Sequence, residues 1–334
     1  MIRLLSYISY LLLLTSCFLP DEVLPRVSPK EITIRLNKTD KQTAYVDLSK
    51  IDKSSDSTRG SWHLKFQNSA KGWAIYLNTL ESVAVYNTKI TDFDKVNESN
   101  YELDLKWQVD IPTPSGLYPA IGDWGDFGFA NPKSYKDVFL ISWNDGNTTL
   151  IEKLQILDAS ETAYHIRYGS LNGDSTKTIW INKNSEHTHS YFSFKENSQI
   201  SNIEPNVDKW NMCFTYLSDS IENHHNLPYT ETINPNFGLY QGLAINYKSN
   251  HVYFDTATTF DEIDYFQAVG LEYIRKDEII NPFMIWDSLN STSTVNSKLT
   301  LIIKNYDSYF ALKPISITRL KNDDYTIRLI VKQL

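Results

Sequence analysis

The chain has 334 residues, 41% of them hydrophobic and 13% aromatic, with only 12 Gly and 12 Pro. Such a composition can bury a core, so collagen-like, low-complexity and disordered polymers are excluded. Thirty-two basic residues against 40 acidic ones leave a formal charge of −8 without a basic block, which speaks against nucleic acid as a partner, and two cysteines, Cys17 and Cys213, are too few for a disulfide or CxxC zinc scaffold.

The N-terminus reads as an address. Arg3 is followed by the apolar run Leu4–Leu14, which is too short to span a bilayer and suits the core of a secretory signal. It ends in Leu14-Thr15-Ser16-Cys17, the pattern of a bacterial lipobox. Residues 1–16 are therefore expected to be a lipoprotein signal peptide and Cys17 the lipid attachment site. Residues 17–30, with three prolines, then form the anchor and tether. The expected location is the bacterial outer membrane, at the cell surface, with the membrane reached through the N-terminal lipid alone. Cys213 is left as a free thiol in a strand.

The rest reads as strands. Apolar residues alternate with polar ones at Ile32, Ile34 and Leu36, at Trp62, Leu64 and Phe66, and at Leu103, Leu105, Trp107 and Val109. Asn144-Asp145-Gly146 and Asn172-Gly173 supply hairpin turns. Short helical turns are expected only at Thr91–Val96 and Thr259–Phe266.

Segments of the first half recur in order in the second. Trp62-His-Leu-Lys-Phe66 matches Trp210-Asn-Met-Cys-Phe214, and Ala74-Ile-Tyr-Leu-Asn78 matches Gly242-Leu-Ala-Ile-Asn246. Phe93-Asp-Lys-Val96 matches Phe260-Asp-Glu-Ile263, and Tyr164-His-Ile-Arg167 matches Tyr325-Thr-Ile-Arg328. The second copy carries an insertion near residues 218–238. Together the matches predict two units, residues 31–183 and 187–334.

Tyrosine strands (Tyr45-Val-Asp-Leu48; Tyr191-Phe-Ser-Phe194), W-x-[LM]-x-F, a strand ending in Asn, and Ile203-Glu-Pro205 ahead of Trp210 form a recurrent order. This order resembles the HmuY-like lipoproteins of the Bacteroidetes, over nearly all of residues 31–334. The resemblance implies an all-β fold, built here as two tandem HmuY-like units with few short helices. It further implies haem capture at the cell surface through two axial His or Met side chains. No ligand position of that family is carried over onto a residue of this chain.

Read by themselves, the residues offer several chemistries. Haem needs an imidazole or thioether on each side of the iron, in an apolar slot. The insertion gathers His224 and His225 with Tyr229, and these are the haem-binding candidates. His187 and His189 fall on one face of an extended segment. They suit a chelating pair rather than a porphyrin sandwich, and read as a solvated linker. Met212 and Met284 read as core, and Gly122-Asp-Trp-Gly-Asp126 as an ordinary turn. Trp107, Trp124 and Trp143 are candidates for a sugar platform, with core packing as the plainer reading. GxSxG, HExxH and a Gly-rich phosphate loop are all absent, so no catalytic residue and no metal site is assigned. The expected function is non-enzymatic ligand capture on a lipid anchor, with haem the first ligand. The alternative is a surface interaction or adhesion module that binds a glycan or protein.

Overall fold

The computed structural model describes residues 28–37, 43–50, 54–55, 62–98, 107–113, 116–171, 173, 176–217, 240–274, 283–287, 292–320 and 324–334. The chain is all-β, half of it strand and 6% helical. Every strand pairing among the described residues is antiparallel; β1 (Lys30–Leu36) and β24 (Tyr325–Gln333) alternate buried with less buried side chains, while several inner strands are buried on both faces.

Two lobes can be followed strand by strand. In the first, a five-stranded sheet runs in the order β14 (Lys177–Asn182), β13 (Ala163–Ser170), β12 (Thr148–Ala159), β11 (Val138–Asp145), β6 (Ala84–Asn87). A four-stranded sheet of β16 (Ser198–Ile200), β15 (His189–Ser193), β4 (Leu64–Gln67) and β5 (Ile75–Leu77) covers it. Leu64, Phe66, Ile75 and Phe192 of the smaller sheet interdigitate with Phe139, Ile141, Leu154 and Ile166 of the larger one in a single apolar core. In the second lobe the larger sheet is β1 (Lys30–Leu36), β24 (Tyr325–Gln333), β23 (Ser308–Arg319), β22 (Thr300–Asn305), β19 (Asn250–Asp255). The smaller is β3 (Ser54–Ser55), β2 (Ala44–Val46), β17 (Met212–Leu217), β18 (Tyr240–Ile245). Ile32, Ile34, Met212, Phe214, Leu301 and Ile327 meet in its core. Three two-stranded ribbons complete the description: β7 (Ile111–Thr113) with β8 (Gly116–Tyr118), β9 (Gly125–Asp126) with β10 (Lys133–Ser134), and β20 (Met284–Asp287) with β21 (Thr292–Val295).

The two lobes share one strand order, and local contacts repeat with it. The Asn78 amide donates to the Trp62 carbonyl at 2.8 Å, and the Asn246 amide to the Trp210 carbonyl at 2.9 Å. Phe194 N–H donates to His63 Nδ1 at 3.1 Å, and Leu48 N–H to Asn211 Oδ1 at 2.7 Å. β12 and β23 each carry a bulge, at Ile156/Asp158 and at Pro314/Ser316; in β23 the break absorbs a proline that cannot donate to the ladder.

The pairing does not follow the expected seam between residues 183 and 187. β14 and β15 lie on either side of it, yet both complete sheets of the first lobe. β1 and β2 pair instead with β24 and β17, strands beyond residue 210, and β3 pairs with β2 at the edge of the same sheet. The first lobe is thus one continuous stretch, β4 to β16, inserted between β3 and β17 of the second. Period-two alternation dictates which face a residue takes. It does not dictate which strand lies alongside, so the sequence matches alone place the seam two strands, β15 and β16, ahead of where hydrogen bonding draws it.

Local expectations differ in smaller ways. Leu64 and Phe66 are fully buried, but the strand opens at Leu64 and Trp62 is only half-buried. Of the strand expected over 103–109, residues 103–106 lie outside the described residues, and beyond them a single bridge joins Gln108 to Val85. The helix expected over Thr259–Phe266 begins late. It is α1 (Tyr265–Val269), because Asp264 and Gln267 form a capping box there. Near Thr91–Val96 a single 3-10 turn, Phe93–Lys95, is capped by Asp92.

Candidate binding surfaces

β6 and β11 are adjacent antiparallel strands, and so are β19 and β22. A two-residue turn would join either pair. The chain runs instead through residues 88–137 in the first lobe and 256–299 in the second. Long excursions of this kind on a rigid sheet are where function concentrates.

Each excursion first folds back over the outer face of its own five-stranded sheet. In the first lobe Phe93 and Val96 bury themselves against Val138 and Leu140. Lys153 Nζ lies 4.5 Å from the centre of the Phe93 ring, and the Arg167 guanidinium 4.2 Å. In the second lobe Phe260 and Ile263 bury themselves against Ile302 and Ala311, with Lys332 Nζ 4.8 Å from the Phe260 ring centre. The pairs matched in sequence therefore anchor the two excursions in the same way.

The first excursion then closes the end of the sandwich. Ile121 and Trp124 join the inner core, and Trp124 Nε1 donates to the Trp73 carbonyl at 2.9 Å. Buried Asp110 fixes the approach, accepting from Leu77 N–H at 2.7 Å and from Ala120 N–H at 2.8 Å. β9 and β10 pass so closely that a Cβ on Gly125 would lie 2.8 Å from the Lys133 carbonyl oxygen, which requires glycine. On this fixed base Tyr118, Phe127, Phe129 and Tyr135 remain exposed. Phe127 meets Trp124 edge-on at 5.2 Å, Tyr135 N–H donates to the Trp124 carbonyl at 3.0 Å, and Tyr118 lies against Gly122. In the second excursion α1 presents Tyr265, Phe266 and Val269 to solvent, with Ile274 beyond it.

Of the twelve large apolar side chains exposed among the described residues, eight lie in these two excursions. Scattered exposed apolar residues are ordinary, whereas concentration in one topological position of each lobe makes these excursions the candidate recognition surfaces. Exposed Asp123 and Asp126 flank the first group, and Asp261, Glu262, Asp264 and Glu272 the second.

The residues singled out from sequence are placed as follows. Cys17, His224, His225 and Tyr229 lie outside the described residues, as do the signal segment 1–16 and most of the tether 17–30. His187 and His189 are not a solvated pair: His189 is buried, and both imidazoles turn toward the buried Glu204. The reason is tertiary, since the chain returns at residues 203–204 to cover them. Met212 is core and Cys213 is buried in β17, outside any disulfide; Met284 opens β20. Trp124 and Trp143 are core side chains and Trp107 packs partly buried over Val138 and Leu140, so the three do not form a sugar platform. Asp126 Oδ1 accepts from Gly128 N–H at 2.9 Å, as in an ordinary Asp turn. Among the described residues no group of three or more His, Cys, Asp or Glu side chains is arranged to hold a metal ion, and no helix is long and apolar enough to cross a membrane.

Sequence reasoning did not single out Tyr118, Phe129, Tyr135 or Phe266. Their one usable signal was an aromatic side chain within an acidic, turn-rich stretch, as in Asp264-Tyr-Phe266. The chain matches no protein-family model, no curated protein and no solved structure.

Proposed function

We propose that the protein is a non-enzymatic capture module, held to a bacterial surface through Cys17, whose two lobes are copies of one binding unit. Each lobe recognises its ligand with the aromatic excursion between the edge strand and its neighbour. The ligand class is a glycan. Flat rings flanked by carboxylates stack on the C–H faces of sugars while the acidic groups accept from hydroxyls. The same acidic rim disfavours anionic lipid and nucleic acid. The observation that carries this reading is the concentration of exposed rings in the same connection of both lobes. Two equivalent sites on one chain also suit a repeating polymer, where the second contact becomes intramolecular. A glycan array probed with the full chain tests it: retention on defined polysaccharides is expected, and should fall when Phe129 and Phe266 are both replaced by Ser. Uniform absence of retention would overturn it.

Haem capture is the second reading. It is favoured by the connection from β17 to β18, which brings in His224, His225 and Tyr229 where β4 and β5 are joined by residues 68–74 alone. A sharp Soret band on haemin addition, lost in the His224→Ala/His225→Ala variant, would move haem ahead of the glycan.

A further inference from the structure

Beside the β15–β16 hairpin lies a cavity of about 260 Å³, apart from both aromatic surfaces. Asn184, His187, Tyr191, Gln199, Asn202 and Glu204 contribute to its wall. Glu204 is its acidic group and is only 5% exposed. Thr188 N–H donates to Oε1, Thr188 Oγ to Oε2 at 2.7 Å, and Tyr191 OH to Oε2 at 2.9 Å. Three donors on two oxygens are the surroundings of an ionised carboxylate. Burial acts in the opposite direction and raises the carboxyl above its usual range, while these hydrogen bonds pull it back.

A buried carboxylate needs a counter-charge. No Lys or Arg among the described residues forms an ion pair with Glu204. The ammonium of nearby Lys248 is directed to backbone carbonyls, of His187 at 2.6 Å and Ser185 at 3.2 Å. His187 Nδ1 and His189 Nδ1 each lie 3.9 Å from a carboxylate oxygen, too far for a hydrogen bond. His189 Nδ1 bonds Thr188 Oγ instead, at 2.8 Å. Burial drives the His189 imidazole well below its usual range, so it brings no charge at neutral pH. A metal ion is not the answer, since the imidazoles and the carboxylate do not converge as ligands do.

We propose that the cavity binds a small molecule carrying a primary ammonium, which seats on Glu204 while polar groups of its body meet Asn184, Gln199 and Asn202. The volume falls just below the roughly 300–1,000 Å³ of drug-sized pockets, so the ligand is of amino-alcohol or single amino-sugar size. The nearest cationic candidate, His187, stands 3.9 Å from the carboxylate without a hydrogen bond to it, so the open space beside Glu204 leaves a directly bonded ammonium as the partner the cavity can add.

Calorimetry on the full chain at pH 7 tests this with matched probes, ethanolamine against ethylene glycol and glucosamine against glucose. The ammonium probes are expected to bind on the order of tenfold or more tightly than their neutral counterparts. In a folded Glu204→Gln variant that preference should disappear. Equal affinity for charged and neutral probes, no binding of either ammonium at millimolar concentration, or a preference that survives Glu204→Gln would overturn the proposal. The comparison of probes on the unaltered chain decides by itself if the variant does not fold.

Discussion

Trp210 meets Tyr45 edge-on, with ring centroids 5.0 Å apart and planes at 76°. Trp62 meets Tyr191 in the same manner, at 5.2 Å and 71°. In each lobe a tryptophan just ahead of an inner strand of the smaller sheet packs against a tyrosine of the neighbouring strand, and that tyrosine comes from a distant part of the sequence. Trp210 is buried and Trp62 half-buried, so their truncations should differ. Trp210→Ala should cost about 3–5 kcal/mol in urea unfolding, and Trp62→Ala clearly less. A double-mutant cycle on Trp210 and Tyr45 should return a coupling of about 0.5–1.5 kcal/mol. A cost at Trp62 equal to that at Trp210 would contradict the packing.

The inserted lobe makes a prediction about fragments. β4 to β16 form two complete sheets from one continuous stretch. Residues 62–206 expressed alone should therefore unfold cooperatively. Residues 31–183 contain β1 and β2 without their partners β24 and β17, and lack β15 beside β4. That fragment should be aggregation-prone or unfolded by circular dichroism and amide-exchange measurements. Cooperative folding of 31–183, with failure of 62–206, would reject the topology.

This contrast shows what sequence could reveal. The burial of Ile32, Ile34 and Leu36 follows from their alternation, and Gly146 with its positive φ turns the β11–β12 hairpin where Asn144-Asp145-Gly146 predicts one. The matched residues Phe93 and Phe260 anchor equivalent excursions because each is a large apolar side chain in a polar stretch. Partnership was not legible. Nothing in Lys30–Leu36 distinguishes pairing with β24 from pairing within its own half, since the alternation satisfies both. Burial of His189 depends on Glu204 and Tyr247 arriving from elsewhere. An aromatic residue such as Phe129 reads the same whether it fills a core or faces solvent.

Glu152 gives the protein a pH response. It is partly buried on β12, and loss of hydration raises its carboxyl from 4.5 to about 7, with Lys177 opposing. A group whose folded-state pKa is raised contributes stability that is fully present below the unfolded value and is lost as pH climbs through the folded one. Stability should accordingly fall between pH 4.5 and about 7 on account of this residue. Glu152→Gln removes that slope, and should leave the variant more stable than the parent at pH 7.5 by about 1–2 kcal/mol after allowing for solvent screening. Urea unfolding of both proteins across the window checks this, and parallel pH profiles would contradict it.

Phe129 and Phe266 separate recognition from stability. Phe129 is 60% exposed and Phe266 is 83% exposed, so Ser at either removes little buried area and should change unfolding free energy by no more than about 0.5 kcal/mol. Trp124 belongs to the same excursion as Phe129 but is 1% exposed and bonded to the Trp73 carbonyl. Trp124→Ala should cost about 3–5 kcal/mol and disturb everything the excursion carries. If the exposed rings are contact surfaces, the two Ser variants melt like the parent and lose retention on a bound polysaccharide. The two lobes provide an internal control, because they are anchored separately. Phe129→Ser should weaken one site and Phe266→Ser the other, and the double variant should lose far more than either alone, as expected when two sites share one polymer. Retention unchanged in the double variant, with melting also unchanged, would remove the aromatic excursions from consideration as the binding surface.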